Sequence, residues 1–90
     1  MSRLHVLATG LVQGVGFRWF VRETARRLDL AGWVMNRPDG GVEVAAEGVG
    51  GAISALRAAV EEGPSGARVE VVLDLPDDGE PLSRPFSVRR

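Results

Sequence analysis

Residues 10–28, GLVQGVGFRWFVRETARRL, pass from a glycine-spaced loop into an amphipathic pattern, and a permanently positive side chain, Arg18, stands where the pattern begins. Gly14 and Gly16 bracket Val15, so the chain can turn sharply and aim successive backbone N–H groups into one concavity. Phe17, Phe20, Val21, Thr24, Ala25 and Leu28 then recur at helical spacing, with Arg22, Glu23, Arg26 and Arg27 largely on the other side. The spacing predicts a helix ending near Leu30 or Gly32. A cation at its start is unfavourable unless an anion lies between it and the helix end. A phosphate there would also accept two parallel charge-assisted bonds from the Arg18 guanidinium. The residues alone leave a second reading open, a plain strand-to-helix turn with Arg18 extended to solvent. The loop has neither the lysine and hydroxyl of a G-x-x-x-x-G-K-[ST] loop nor the third glycine of a dinucleotide fingerprint.

On the N-terminal side, RLHVLAT (3–9) alternates, with Leu4, Val6 and Ala8 on one face and Arg3, His5, Leu7 and Thr9 on the other, as in a half-buried strand. On the C-terminal side, GWVMN (32–36) and VEVAAE (42–47) flank RPDGG, whose Pro and Asp-Gly mark a hairpin turn. Ile53, Leu56 and Val60 mark a second helix, stopped by Gly63 and Pro64 and expected on the same sheet face as the first. ARVEVVLDL (67–75) places Val69, Val71, Leu73 and Leu75 on one face, and FSV (86–88) closes the chain as a short strand. The order β-α-β-β-α-β with an added terminal strand describes an α+β split βαβ fold, its two helices on one face of an antiparallel sheet.

Ninety residues at 44% hydrophobic content suffice for one domain, taken as residues 1–90. There is no cysteine, and every basic residue is arginine, which excludes thiolate and lysine Schiff-base chemistry. A net charge of -1 provides no field for nucleic acid or an anionic membrane, and no apolar run is long enough to span a bilayer. A cytoplasmic location is expected.

Asn36 ends the second strand just before the hairpin turn. If that strand lies beside the first, its end faces the glycine loop. There an amide can orient water without titrating, although asparagine is equally a turn residue. His5, the only histidine, has no catalytic neighbours in the pattern and reads as structural, and Asp77, Asp78 and Glu80 read as solvated charge without calcium-loop spacing. Trp33 reads as core, and no metal constellation is found.

Taken together, residues 10–28, LAGWVMNRPDGGVEVAAEG (30–48) and GPSGARVEVV (63–72) resemble the acylphosphatase family over nearly the whole chain. The resemblance implies a ferredoxin-like α/β sandwich that hydrolyses carboxyl phosphates to a carboxylate and inorganic phosphate, with no cofactor and no metal. By position, it implies that the backbone N–H groups of Gln13, Gly14, Val15, Gly16, Phe17 and Arg18 cradle the phosphoryl oxygens, that the Arg18 guanidinium binds them, and that Asn36 orients the attacking water. The expected partners are a small acyl phosphate as substrate and inorganic phosphate or sulfate as inhibitor, with a monomeric protein. Many relatives carry a basic residue where Leu11 stands, so electrostatic steering from that position is missing here. The alternative is a non-catalytic small-anion-binding module of the same shape.

Overall fold

A computed structural model describes residues 1–90. The elements run β1 (Ser2–Leu11), α1 (Phe17–Arg27), β2 (Ala31–Asn36), β3 (Val42–Gly48), α2 (Gly50–Glu62), β4 (Arg68–Asp74) and β5 (Ser87–Arg89). The strands form one sheet in the order β4-β1-β3-β2-β5. The condition considered for Asn36, a second strand beside the first, is therefore not met; β3 lies between them and pairs antiparallel with both. The reason is the crossover through α1, which makes β1 and β2 parallel and leaves a gap that the hairpin return fills. β5 pairs parallel with β2, so the sheet is mixed rather than antiparallel.

Both helices cover one face. Leu4, Val6 and Ala8 of β1, Val34 of β2 and Val42, Val44 and Ala46 of β3 meet Phe17, Val21 and Ala25 of α1 and Ile53, Leu56 and Val60 of α2 in a single core. Phe86, fully buried, joins the same core just before β5. Thr24 is the one polar side chain buried with them, and its hydroxyl donates to the Phe20 carbonyl at 2.8 Å. At the far end of α2, Gly63 takes a positive φ of 74° and stops the helix as its sequence position predicts.

Three expectations need correcting. Helix α1 stops at Arg27, short of Leu30. Asp29 adopts the left-handed conformation at φ 56°, while Leu30 N–H donates to Ala25 O and Asp29 N–H to Arg26 O, which together form a Schellman motif. Aspartate tolerates that conformation, so the stop lies before the glycine that seemed to mark it.

Strand β4 does not keep one apolar face. Thr9 pairs with Val71 and Gly10 with Val69, leaving Glu70 as the extra residue of a bulge. The bulge reverses the alternation: Val69 and Val72 pack on the core, whereas Val71 and Leu73 lie on the open face, 47% and 48% exposed.

Trp33 also lies on the open face. Its ring meets His5 edge-on at 6.0 Å between centroids and carries the Arg89 guanidinium 4.2 Å above it.

Candidate active site

Because β1 and β2 run parallel, their C-terminal ends reach the same edge of the sheet. The loop after β1 and Asn36 at the end of β2 therefore converge although β3 separates the strands. They line one open cleft of about 460 Å³, together with residues from the start of α1 and the end of the chain.

Gly14 and Gly16 each take φ 76°, with Val15 between them, and a Cβ on either would meet no atom within 4 Å. Backbone conformation, rather than crowding, selects glycine here. The first backbone bond of α1 runs from Phe20 N–H to Gly16 O at 3.0 Å, and no acceptor of the chain receives any N–H group from Gly14 to Trp19. Gly16 as N-cap has no side chain to cap the helix, and the first turn contains no acidic residue. Six consecutive donors, three in the loop and three in the first turn of α1, are thus left without an acceptor at the positive end of the helix, an arrangement suited to an anion.

Arg18 is partly buried in the cleft and forms neither an ion pair nor a side-chain hydrogen bond within the chain. Asn36 lines the same cleft, and its Oδ1 is buried without a hydrogen-bond partner. An unpaired buried acceptor costs on the order of 1–3 kcal/mol.

The predicted loop residues divide by side chain. Gly14, Gly16, Phe17 and Arg18 line the cleft, although the Phe17 ring itself is core. Val15 packs toward the hydrophobic core instead. Gln13 turns its amide to the hairpin, where Nε2 donates to Arg37 O at 2.8 Å and Gly41 O at 2.9 Å. That pair of bonds ties the anion-binding loop to the turn next to Asn36. The resemblance implies only a backbone role for Gln13, and its side chain adds this second one.

Sequence reading missed Trp19, Arg22 and Arg90 as cleft residues. Arg22 was legible, since it lies four residues after Arg18 and so on the same helix face. Arg90 was not, because it arrives through the parallel pairing of β5 with β2. Leu11 is 57% exposed and lies outside the cleft; its cross-strand partner is Arg68.

The residues set aside from catalysis lie elsewhere. His5 Nε2 meets Glu43 Oε2 at 2.6 Å and its Nδ1 meets the Pro76 carbonyl at 3.0 Å, an arrangement fixed within the fold. Asp77 is more than solvated charge, for it accepts from Arg3 Nε at 2.9 Å and from Gly79 N–H at 2.9 Å.

Residues 4–87 match the family model Acylphosphatase. A curated protein from Salinibacter ruber named Acylphosphatase is 50% identical over 99% of this chain and 94% of its own length. The crystal structure of acylphosphatase from Bacillus subtilis superposes with a TM-score of 0.85 at 36% identity, covering 100% of both chains. The structure of an acylphosphatase from Coxiella burnetii gives a TM-score of 0.80 at 38% identity over 98% of this chain and 92% of that one.

Proposed function

The chain belongs to the acylphosphatase family, and from that premise we propose that its cleft hydrolyses acyl phosphates by attack of an oriented water on phosphorus. The observation that carries this reading is the meeting, in one cleft, of the unpaired backbone donors of Gly14–Trp19, an Arg18 without an internal partner and the Asn36 side chain. The loop N–H groups and the Arg18 guanidinium hold the phosphoryl oxygens and stabilise the charge that grows on them, while the Asn36 side chain, which lines the same cleft, orients the attacking water at phosphorus. The bond between phosphorus and the acyl oxygen breaks, the carboxylate leaves with the electron pair, and the water's protons pass to phosphate and solvent. A carboxylate is a weak base, so departure needs no general acid and the work is positioning and electrostatics.

Inorganic phosphate and sulfate, which share the phosphoryl geometry, inhibit competitively at the same loop.

The test is hydrolysis of benzoyl phosphate in ¹⁸O-labelled water with a chelator present. Label in phosphate, with turnover unchanged by the chelator, supports the reading. Label in benzoate, or activity that vanishes with the chelator and returns with magnesium or zinc, overturns it.

A further inference from the structure

The loop that presents the anion donors and the hairpin end that presents Asn36 share no strand pairing. The β1–β3 ladder ends at Ala8 opposite Val42, and beyond Ala8 strand β1 pairs only with β4. Residues 12–16 belong to no helix or strand. Gly14 and Gly16 stand exposed within them, and two glycines leave this segment free to move unless something outside holds it.

The Gln13 side chain supplies that hold. A primary amide carries two hydrogens on one nitrogen, and both are used on carbonyls of the turn, Arg37 O at 2.8 Å and Gly41 O at 2.9 Å. These carbonyls flank one position: Arg37 follows Asn36, Gly41 precedes Val42, and Asn36 and Val42 are paired across the hairpin. The turn's own bonds, Arg37 N–H to Gly41 O at 2.8 Å and Gly40 N–H to Arg37 O at 3.1 Å, close it without reaching the loop. Gln13 is therefore the only hydrogen-bonded bridge from residues 12–16 to the turn at 37–41. It does not line the cleft, so its amide acts from behind the site and not on the ligand.

We propose that Gln13 is a positioning residue for the reaction: its amide fixes the end of the hairpin, and with it Asn36, against the loop that holds the phosphoryl group. This rests on the acyl phosphate reading above. Water and phosphorus are then held by two segments whose spacing one side chain sets, and an error of about 1 Å in such a spacing can cost about 10²-fold in rate. The backbone donors that hold the anion belong to the loop and the first turn of α1 and survive loss of the amide. The signature is a loss in kcat with little loss in anion affinity.

Two measurements separate this inference from the hydrolytic reading on which it rests. The first uses Gln13→Met, which keeps the length and bulk of the side chain and removes both donors. Its kcat for benzoyl phosphate should fall about tenfold while the inhibition constant for phosphate stays within about twofold of the native value. In an Asn36→Ala background the same substitution should lower kcat by less than about twofold, since a residue that acts through Asn36 has nothing left to position. An unchanged kcat, a loss of phosphate affinity as large as the loss in kcat, or the full loss repeated in the Asn36→Ala background overturns the inference and leaves acyl phosphate hydrolysis standing.

The second needs no turnover. Coupling between two segments is reciprocal, so inorganic phosphate on the loop should order the turn through the Gln13 amide. Amide hydrogen exchange at Arg37 and Gly40 is expected to slow by about threefold or more when phosphate saturates the native chain, and to stay unchanged in Gln13→Met. Slowing in a native chain that turns over no acyl phosphate would remove the hydrolytic reading alone and keep the tie between loop and hairpin. No slowing in the native chain, or equal slowing in Gln13→Met, overturns the tie whatever the enzyme does, and the native measurement decides even if the variant does not fold.

Discussion

The two ends of β1 use the same side chain in opposite ways. At the N-terminal end every arginine is saturated: Arg3 reaches Glu47 at 3.1 Å, Asp77 at 2.9 Å and Glu80 O at 2.8 Å, and Arg57 holds Asp74 through two bonds of 2.8 and 3.1 Å. At the C-terminal end Arg18 forms no ion pair, and no aspartate or glutamate side chain lines the cleft around it. Exposed ion pairs contribute only about 0–1 kcal/mol each, so an internal partner for Arg18 would add little to stability. Its absence leaves the guanidinium and the loop N–H groups to a ligand. A saturated arginine is a fastener; an unsaturated one beside unsatisfied backbone donors is a receptor.

The largest effect should come from removing that receptor. Arg18→Ala is expected to lower kcat/KM for benzoyl phosphate by 10³-fold or more, on the order of losing one preorganised charge-stabilising donor, and to abolish inhibition by phosphate. Arg18→Lys restores little, since an ammonium cannot reproduce the planar fork. Unchanged phosphate inhibition in Arg18→Ala would place the anion elsewhere and remove the contrast between the two ends.

Asn36→Ala should lower kcat by roughly 10²-fold, the scale of one lost preorganised polar group, while phosphate inhibition stays nearly the same. The asymmetry sharpens the contrast by separating the group that orients water from those that hold the anion. Equal losses in kcat and in phosphate affinity would make Asn36 a second anion ligand instead.

How far these roles could be read beforehand follows the range of the interactions. The loop, both helices and the β2–β3 hairpin were legible because glycine spacing, helical period and Pro-Asp-Gly act within a few residues. Arg18 and Asn36 were legible as chemistry, but their meeting depended on β1 and β2 being parallel, which neither segment states alone. The bulge at Glu70 exposes Val71 and Leu73 through a pairing some 60 residues away in the chain, and no period in β4 records it. Trp33 passed for core because an indole satisfied by Arg89 and His5 looks apolar in sequence. Arg90 enters the cleft only through the β5–β2 pairing, and Asp29 ended α1 ahead of the glycine signal.

The contrast can also be broken by making the cleft resemble the saturated end. Trp19 occupies the first turn of α1, one residue after Arg18, and is 61% exposed. Trp19→Glu would set a carboxylate where the helix dipole favours it, a gain of about 0.3–1 kcal/mol, and would give the loop donors and Arg18 an internal anion. The expected outcome is a melting temperature equal to or slightly above that of the native chain, with kcat/KM lower by about tenfold and weaker phosphate inhibition. Retained activity would show that the missing carboxylate is not what keeps the cleft open to anions.

The smallest effect belongs to the saturated end and appears only in acid. The two-bond contact with Arg57 holds the Asp74 carboxyl below the ordinary carboxylate value, and at Asp77 the Gly79 N–H is the main cause of a similar lowering, with Arg3 adding to it. A carboxyl whose folded pKa is depressed binds fewer protons folded than unfolded, so its contribution is full above the unfolded pKa and is lost as pH falls through the folded one. The melting temperature should therefore be flat from neutral pH to the upper edge of the carboxylate range and decline below it. Arg57→Gln removes the leading cause at Asp74 and should flatten that decline, whereas Arg3→Gln leaves the Gly79 N–H on Asp77 and should flatten the Asp77 part less. Arg57 is remote from the cleft, so turnover of benzoyl phosphate at neutral pH should not change. Thermal melts of the three proteins from pH 7 down to pH 3 decide the matter: an acid decline in Arg57→Gln as steep as in the native chain would mean that the ion pair seen at that end contributes nothing measurable, and that saturation there is geometry without energetic consequence.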